Sequence, residues 1–154
     1  MGDRTYVTLT VRRVDRDKTM KIVQDVDWQP YDQDTFPENS MFTDIGFEDV
    51  NWGELPFLSL LEKAGIPFNS SWAEGSEYGE GTYYSRYTDD GQLLSVELNE
   101  EDYSIPIRTL VDLLPDYNEL ADYIRKQRDG IAIMSWINQE RNSKLFLVNQ
   151  LITE

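Results

Sequence analysis

A chain of 154 residues, 40% hydrophobic and 12% aromatic, is the size of one domain and has enough apolar surface for a core without staples. It contains neither cysteine nor histidine, which excludes disulfides, thiolate nucleophiles, Ser-His-Asp relays, imidazole proton shuttles and zinc held by sulfur or imidazole. Its 29 acidic and 14 basic residues leave a net charge of −15, a field that opposes direct contact with nucleic-acid phosphates.

The charge is unevenly placed. Residues 1–24 hold three acids and six bases, residues 25–102 hold 19 acids against only Lys63 and Arg86, and residues 103–154 are nearly balanced. The middle half is therefore an acidic block. Met1–Tyr6 joins no basic stretch to an apolar run, and no apolar run approaches the roughly 18 residues of a spanning helix. The expectation is a cytoplasmic protein with no membrane partner.

Val7, Leu9 and Val11 alternate with Tyr6, Thr8, Thr10 and Arg12, which predicts a half-buried first strand. Asp17 is placed to cap a helix carrying Met20, Val23 and Val26, a segment whose β-branched residues also suit a strand. Residues 27–40, with Pro30 and Pro37, read as a long loop, and Met41–Phe47 as a weakly alternating second strand. Leu55, Leu58, Leu61 and Ala64 recur at helical spacing, widened by Phe57 and Leu60, and predict about three turns that Gly65 and Pro67 terminate.

Ile66, Phe68, Ser70 and Trp72 then alternate as a third strand. A loop with Gly75, Gly79 and Gly81 follows, implying unusual backbone angles or a close approach by something else. A phosphate cradle is disfavoured there: no Gly-Lys-Ser/Thr follows, and Glu74, Glu77 and Glu80 would repel an anion. Asp90-Gly91 predicts a hairpin with a two-residue loop. In that register Tyr83, Ser85 and Tyr87 oppose Leu98, Val96 and Leu94 on an apolar face, while Tyr84, Arg86 and Thr88 oppose Glu97, Ser95 and Leu93.

Beyond the acidic break Glu100-Glu101-Asp102, Ser104 is placed to cap a helix with the stripe Leu110, Val111 and Leu114, ended by Pro115. Asp116 and Glu119 form a capping-box-like pair for the next helix, with Leu120, Ala121 and Ile124 apolar. Arg125, Lys126 and Arg128 suit its last turn, and Gly130 its end. Residues 131–137 are β-branched enough for a strand, and 144–152 fit either a strand or a helix. The whole predicts one α+β domain spanning 1–154, an antiparallel or mixed sheet of about five to six strands against three to four helices.

The segment Ala64-Gly65-Ile66-Pro67-Phe68, followed by Trp72, Gly79 and Gly81, reads as a structural signature with no activity attached. No cofactor motif and no catalytic constellation are expected. Asp25-Val26-Asp27 and Asp32-Gln33-Asp34 resemble fragments of a calcium loop, but from Asp32 the sixth position is Pro37 and the twelfth Thr43, where glycine and glutamate are required. A looser divalent-metal site at Asp25–Asp34, serving binding or metal-dependent catalysis, is the alternative reading.

The leading one is a non-enzymatic interaction protein whose acidic surface engages a basic protein partner. In its narrower form the chain is an inhibitor that occupies a nucleic-acid-binding groove as a charge mimic, as acidic phage or mobile-element inhibitors do. The expected contact residues are Trp72, Glu74, Glu77, Tyr78, Glu80, Tyr84 and Asp89, because aromatic rings amid carboxylates suit lysine and arginine. Tyr83 and Tyr87 are expected in the core instead.

Overall fold

The alternation of Val7, Leu9 and Val11 with threonines produces β1 (Arg4–Arg12), whose three apolar side chains are fully buried. The computed structural model describes residues 3–31, 34–99, 105–132 and 136–153. Among these, β1 pairs with β2 (Phe42–Asn51) on one side and β3 (Phe68–Trp72) on the other, and β4 (Gly81–Tyr87) and β5 (Leu93–Asn99) extend the sheet beyond β3. The order is β2-β1-β3-β4-β5, with every pairing antiparallel. The described α-helices are α1 (Arg16–Asp25), α2 (Leu58–Lys63), α3 (Ile107–Leu113), α4 (Tyr117–Ala132) and α5 (Gln139–Thr153), with a single 3-10 turn at Arg13–Asp15 leading into α1. This is the expected α+β class.

One face of the sheet carries the core. Val7, Leu9, Val11, Ile45, Phe47 and Phe68 pack against Val23 of α1 and Leu55, Phe57 and Leu61 in and before α2. Trp28 sets its ring edge-on to Phe47 and Phe57, each at 6.0 Å. The opposite face is more polar. There Asp44 accepts hydrogen bonds from the Thr10 and Thr35 hydroxyls, and Arg13 ties down the preceding loop through Asp34 and the carbonyls of Pro37, Ser40 and Phe42.

The structure departs from the sequence reading at several points. Asp15, not Asp17, precedes α1, and it accepts a 2.6 Å salt bridge from Arg12. The segment from Leu55 to Phe57 is a turn around Pro56, so α2 is shorter than three turns and Leu60 faces outward. Its end is as expected: the Gly65 N–H bonds Glu62 O and the Ile66 N–H bonds Leu61 O, which satisfies the last carbonyls. Asp116 does cap α4, accepting the Asn118 and Glu119 N–H groups at 2.9 and 3.1 Å.

That helix continues through Gly130 to Ala132, since one glycine inside a helix costs only about 1 kcal/mol. Ile131 and Ala132 are therefore helical, and Ile137 lies in a turn, so the described part of 131–137 is not a strand. Ser104 and Glu100–Asp102 lie outside the described residues. The stripes of α3 and α4 do not enter the core. The two helices pack on each other, leaving Val111, Leu114 and Ile124 about half exposed.

The hairpin is also shifted by one residue. Tyr87 pairs with Leu93, Ser85 with Ser95 and Tyr83 with Glu97. The loop has three residues, not two. Thr88 O accepts the Gly91 N–H and the Thr88 N–H bonds Gln92 O, with Gly91 at φ 75° in the left-handed region that its missing side chain permits. Leu94, Val96 and Leu98 consequently lie on the face opposite the core, and Ser95 and Glu97 on the core side.

The closing segment is the helix α5, anchored by polar groups. Gln139, Asn142, Ser143 and Phe146 form its buried stripe. Beyond Phe68, β3 no longer pairs with β4, and the Gln139 amide fills the gap. Its Oε1 accepts the Tyr87 N–H at 2.8 Å and its Nε2 donates to Tyr87 O at 2.9 Å. Asn142 donates to the same carbonyl at 2.9 Å, while Phe146 meets the Tyr87 ring at 4.9 Å. Truncating Gln139 to alanine orphans a buried donor. The substitution Gln139→Ala is expected to destabilise by about 2–3 kcal/mol, read as a lowered urea midpoint at unchanged slope; a midpoint within error of the parent would show that α5 is not held this way.

Candidate functional site

A cleft of about 740 Å³ opens on the core side of the sheet, beside the start of α2. Its floor is Ser70 and Tyr83, its walls include Trp52, Trp72, Tyr78, Leu55 and Leu58, and Glu54, Glu80 and Glu97 also line it. No lysine or arginine is among the lining residues, and among the described residues no ion pair reaches these three glutamates. The volume is that of a small-ligand site.

Trp72 positions the walls. It ends β3 with its indole N–H donating to Gly79 O at 3.1 Å. Its ring lies against two glycines that give it room: a Cβ on Gly53 would stand 2.7 Å from Trp72 Cγ, and one on Gly81 would strike the indole's six-membered ring. Gly53 is further confined to glycine by its φ of 71°. Trp52 packs on Tyr78 with ring centroids 5.7 Å apart and remains 43% exposed.

The glycine-rich loop is fastened from the other side. The Asp3 carboxylate accepts the Ser76 N–H, the Ser76 hydroxyl at 3.0 Å and the Glu77 N–H at 3.1 Å. A Cβ at Gly75 would meet both Asp3 and the Tyr78 ring. At Gly75 and Gly81 the close approach is made by the protein's own side chains, whereas a Cβ at Gly79 would stand in open space, and none of the three glycines has the positive φ that unusual backbone angles would require. Burial works to raise the Asp3 pKa, but the hydrogen bonds from Glu77, Ser76 and Arg4 outweigh it and hold the carboxyl below its ordinary 3.8.

Two of the lining residues carry a hydroxyl without a hydrogen-bond partner. Ser70 is 1% exposed, and its Oγ has no hydrogen-bond partner; the Tyr78 hydroxyl is buried and equally without one. By contrast the Tyr83 hydroxyl donates to Glu62 at 2.8 Å, a carboxylate that also accepts from Ser95 at 2.7 Å. Burial, and then the nearby Glu62, push the Tyr83 phenol above its usual range.

Of the expected contact residues, the structure brings Trp72, Tyr78 and Glu80 into one cleft, with Glu74 and Glu77 exposed on the same loop. It separates the other two. Tyr84 points to the opposite face of the sheet, its ring 5.8 Å from the Arg86 guanidinium. Asp89 lies at the far end of β4, about 20 Å along the strand from Gly81, and is used by Asn142 and Arg141 at 3.1 and 3.3 Å. Tyr87 is in the core as expected, whereas Tyr83 packs on the core and also faces the cleft.

Trp52, Glu54, Ser70 and Glu97 line the site without being among the expected contact residues. The Trp52-Gly53 pair, both in the left-handed region, carried a usable signal in its glycine. In the Asp25–Asp34 segment, Asp34 is held by Arg13 at 2.9 Å, and Asp32 lies outside the described residues. Among the described residues no group of three or more acidic side chains is gathered as metal ligands, and no helix is long and apolar enough to cross a membrane.

Compared with protein-family models, curated proteins and solved structures, the chain matches none.

Two outcomes are expected at this site. Placing Ala at position 53 forces a side chain into left-handed backbone and into the indole, so Gly53→Ala is expected to cost about 1–3 kcal/mol and to shift the Trp72 indole N–H resonance most among the four tryptophans. Because the folded pKa of Asp3 is depressed, its fastening is complete above 3.8 and is lost as pH falls through the lower folded value. The Ser76 and Glu77 amide resonances should titrate together in that acid window and lose this transition in Asp3→Asn.

Proposed function

We propose that the protein is a non-enzymatic binding module that sets this acidic, aromatic cleft against a basic surface of another protein. The observation that carries the reading is the cleft's composition: three carboxylates and four aromatic rings with no cation among the lining residues. Such a lining attracts guanidinium and ammonium groups through both charge and the negative faces of the rings. Glu74 and Glu77 extend the same negative edge along the loop that Asp3 fastens. The narrower form of the proposal is a charge mimic, the edge occupying a groove that otherwise takes phosphates. A cytoplasmic setting belongs to this proposal and offers such partners.

Opposed fields speed association and make it sensitive to salt. The test is capture from the native host with the wild-type chain and with the triple variant Glu54→Gln, Glu80→Gln, Glu97→Gln, at low and high salt. Basic proteins should be retained by the wild type, released by salt and held about tenfold more weakly by the variant, taking about 0.5 kcal/mol for each exposed charge. In the charge-mimic form, added duplex DNA displaces the chain from its partner. Equal retention by the variant sinks the proposal.

A further inference from the structure

Resting on that reading of the cleft as the cation-facing site, we infer that it is a ligand site in its own right, selective for organic cations that carry N–H donors. These are the primary ammonium or guanidinium groups of lysine, arginine or a linear polyamine. Three features of the lining must be satisfied by the same occupant. The rings of Trp52, Trp72, Tyr78 and Tyr83 favour a cation or an apolar body. Glu54, Glu80 and Glu97 favour a cation and reject an anion. The buried hydroxyls of Ser70 and Tyr78 lack hydrogen-bond partners, and each has lone pairs to offer a donor.

An apolar ligand leaves the hydroxyls and the carboxylates unanswered. A quaternary ammonium answers the rings and the charges but brings no N–H to Ser70 or Tyr78. Only a cation with N–H donors answers all three, and its methylene chain covers the indoles as it reaches inward. Discrimination is expected to be pronounced, because a site built around hydrogen-bonding groups penalises an analogue that leaves them unpaired. The cleft is larger than one lysine side chain needs, so a chain with repeated amines, or a basic peptide segment, fits its volume better than a single ammonium.

The experiment is a set of NMR titrations of the full chain at constant ionic strength with spermidine, a trilysine peptide, arginine amide and tetramethylammonium. Spermidine or trilysine should shift resonances of Trp52, Trp72, Tyr78 and Ser70, with tetramethylammonium at least tenfold weaker. The tighter of the first two tells whether the natural source is a free polyamine or a polypeptide. Ser70→Ala and Tyr78→Phe, each removing one oxygen from a folded protein checked by its spectrum, should weaken spermidine threefold to tenfold while leaving tetramethylammonium unchanged. Equal affinity for tetramethylammonium, or no effect of either variant, overturns the selectivity. If no small cation shifts the cleft while capture of basic proteins still depends on Glu54, Glu80 and Glu97, the inference falls and the proposed function stands. If that dependence is lost as well, both fall.

Discussion

The site depends on the seating of one indole. Trp72 closes β3 against two residues with no side chain, Gly53 from the turn after β2 and Gly81 from the start of β4, and its N–H reaches Gly79 O. These contacts bind three separate segments around a single rigid ring. The indole cannot swing away without losing its hydrogen bond, and the glycines cannot be exchanged without displacing it. Trp52 and Tyr78 pack on each other and directly precede Gly53 and Gly79 in the chain, so the spacing of the cleft's walls is inherited from this arrangement. A cleft fixed in this way loses little conformational entropy when it is filled, which favours binding by a preorganised site.

The second constraint is register. A three-residue hairpin loop in place of a two-residue one moves every side chain of β5 to the other face of the sheet. The sequence cue, Asp90-Gly91, is common to both: glycine serves the last position of the longer loop as well as the second of the shorter. The apolar alternation of Leu94, Val96 and Leu98 then pointed toward the wrong face, because the face opposite the core also receives apolar residues at this edge. The consequence for function is direct. Glu97 leaves the outer surface and joins Tyr83 in the cleft, and Ser95 comes within reach of Glu62.

Elements whose burial follows apolar periodicity, β1 and β3, were legible from the residues alone, and so were local caps, the end of α2 at Gly65 and the start of α4 at Asp116. Those fixed by polar contacts between segments distant in sequence were not. The inward stripe of α5 is Gln139, Asn142, Ser143 and Phe146, and its principal hold is an amide standing in for a missing strand at Tyr87. No hydropathy pattern announces that. The contact residues divide in the same manner. Trp72, Tyr78 and Glu80 are near in sequence and near in space, whereas Tyr84 and Asp89, just as near in sequence, are carried away by the pleat and by the length of β4.

The fold also redistributes the acidic block. Arg86, one of only two bases within residues 25–102, is 2% exposed, bonded to Phe68 O, Ser85 O and Asn69, and covered by the Trp136 ring at 3.7 Å. Burial lowers its pKa to about 10, so it stays charged near neutral pH while contributing little to the surface field. Asp34 and Asp89 are paired with Arg13 and Arg141. Arg12, Arg13, Arg141 and Lys144 gather in a second hollow at the end of the sheet where β1 finishes, while the aromatic cleft sits where Val7 faces Trp72. Five residues of β1 separate those levels, about 17 Å at strand spacing, twice the screening length of about 8 Å at physiological salt. Arg4, exposed at the cleft end, is outside the lining. A partner approaching the cleft therefore meets carboxylates that no lining cation pairs, with Lys63, exposed at the end of α2, also outside the lining. Net charge alone does not give this polarity; it follows from which acids the fold pairs and which it leaves facing solvent.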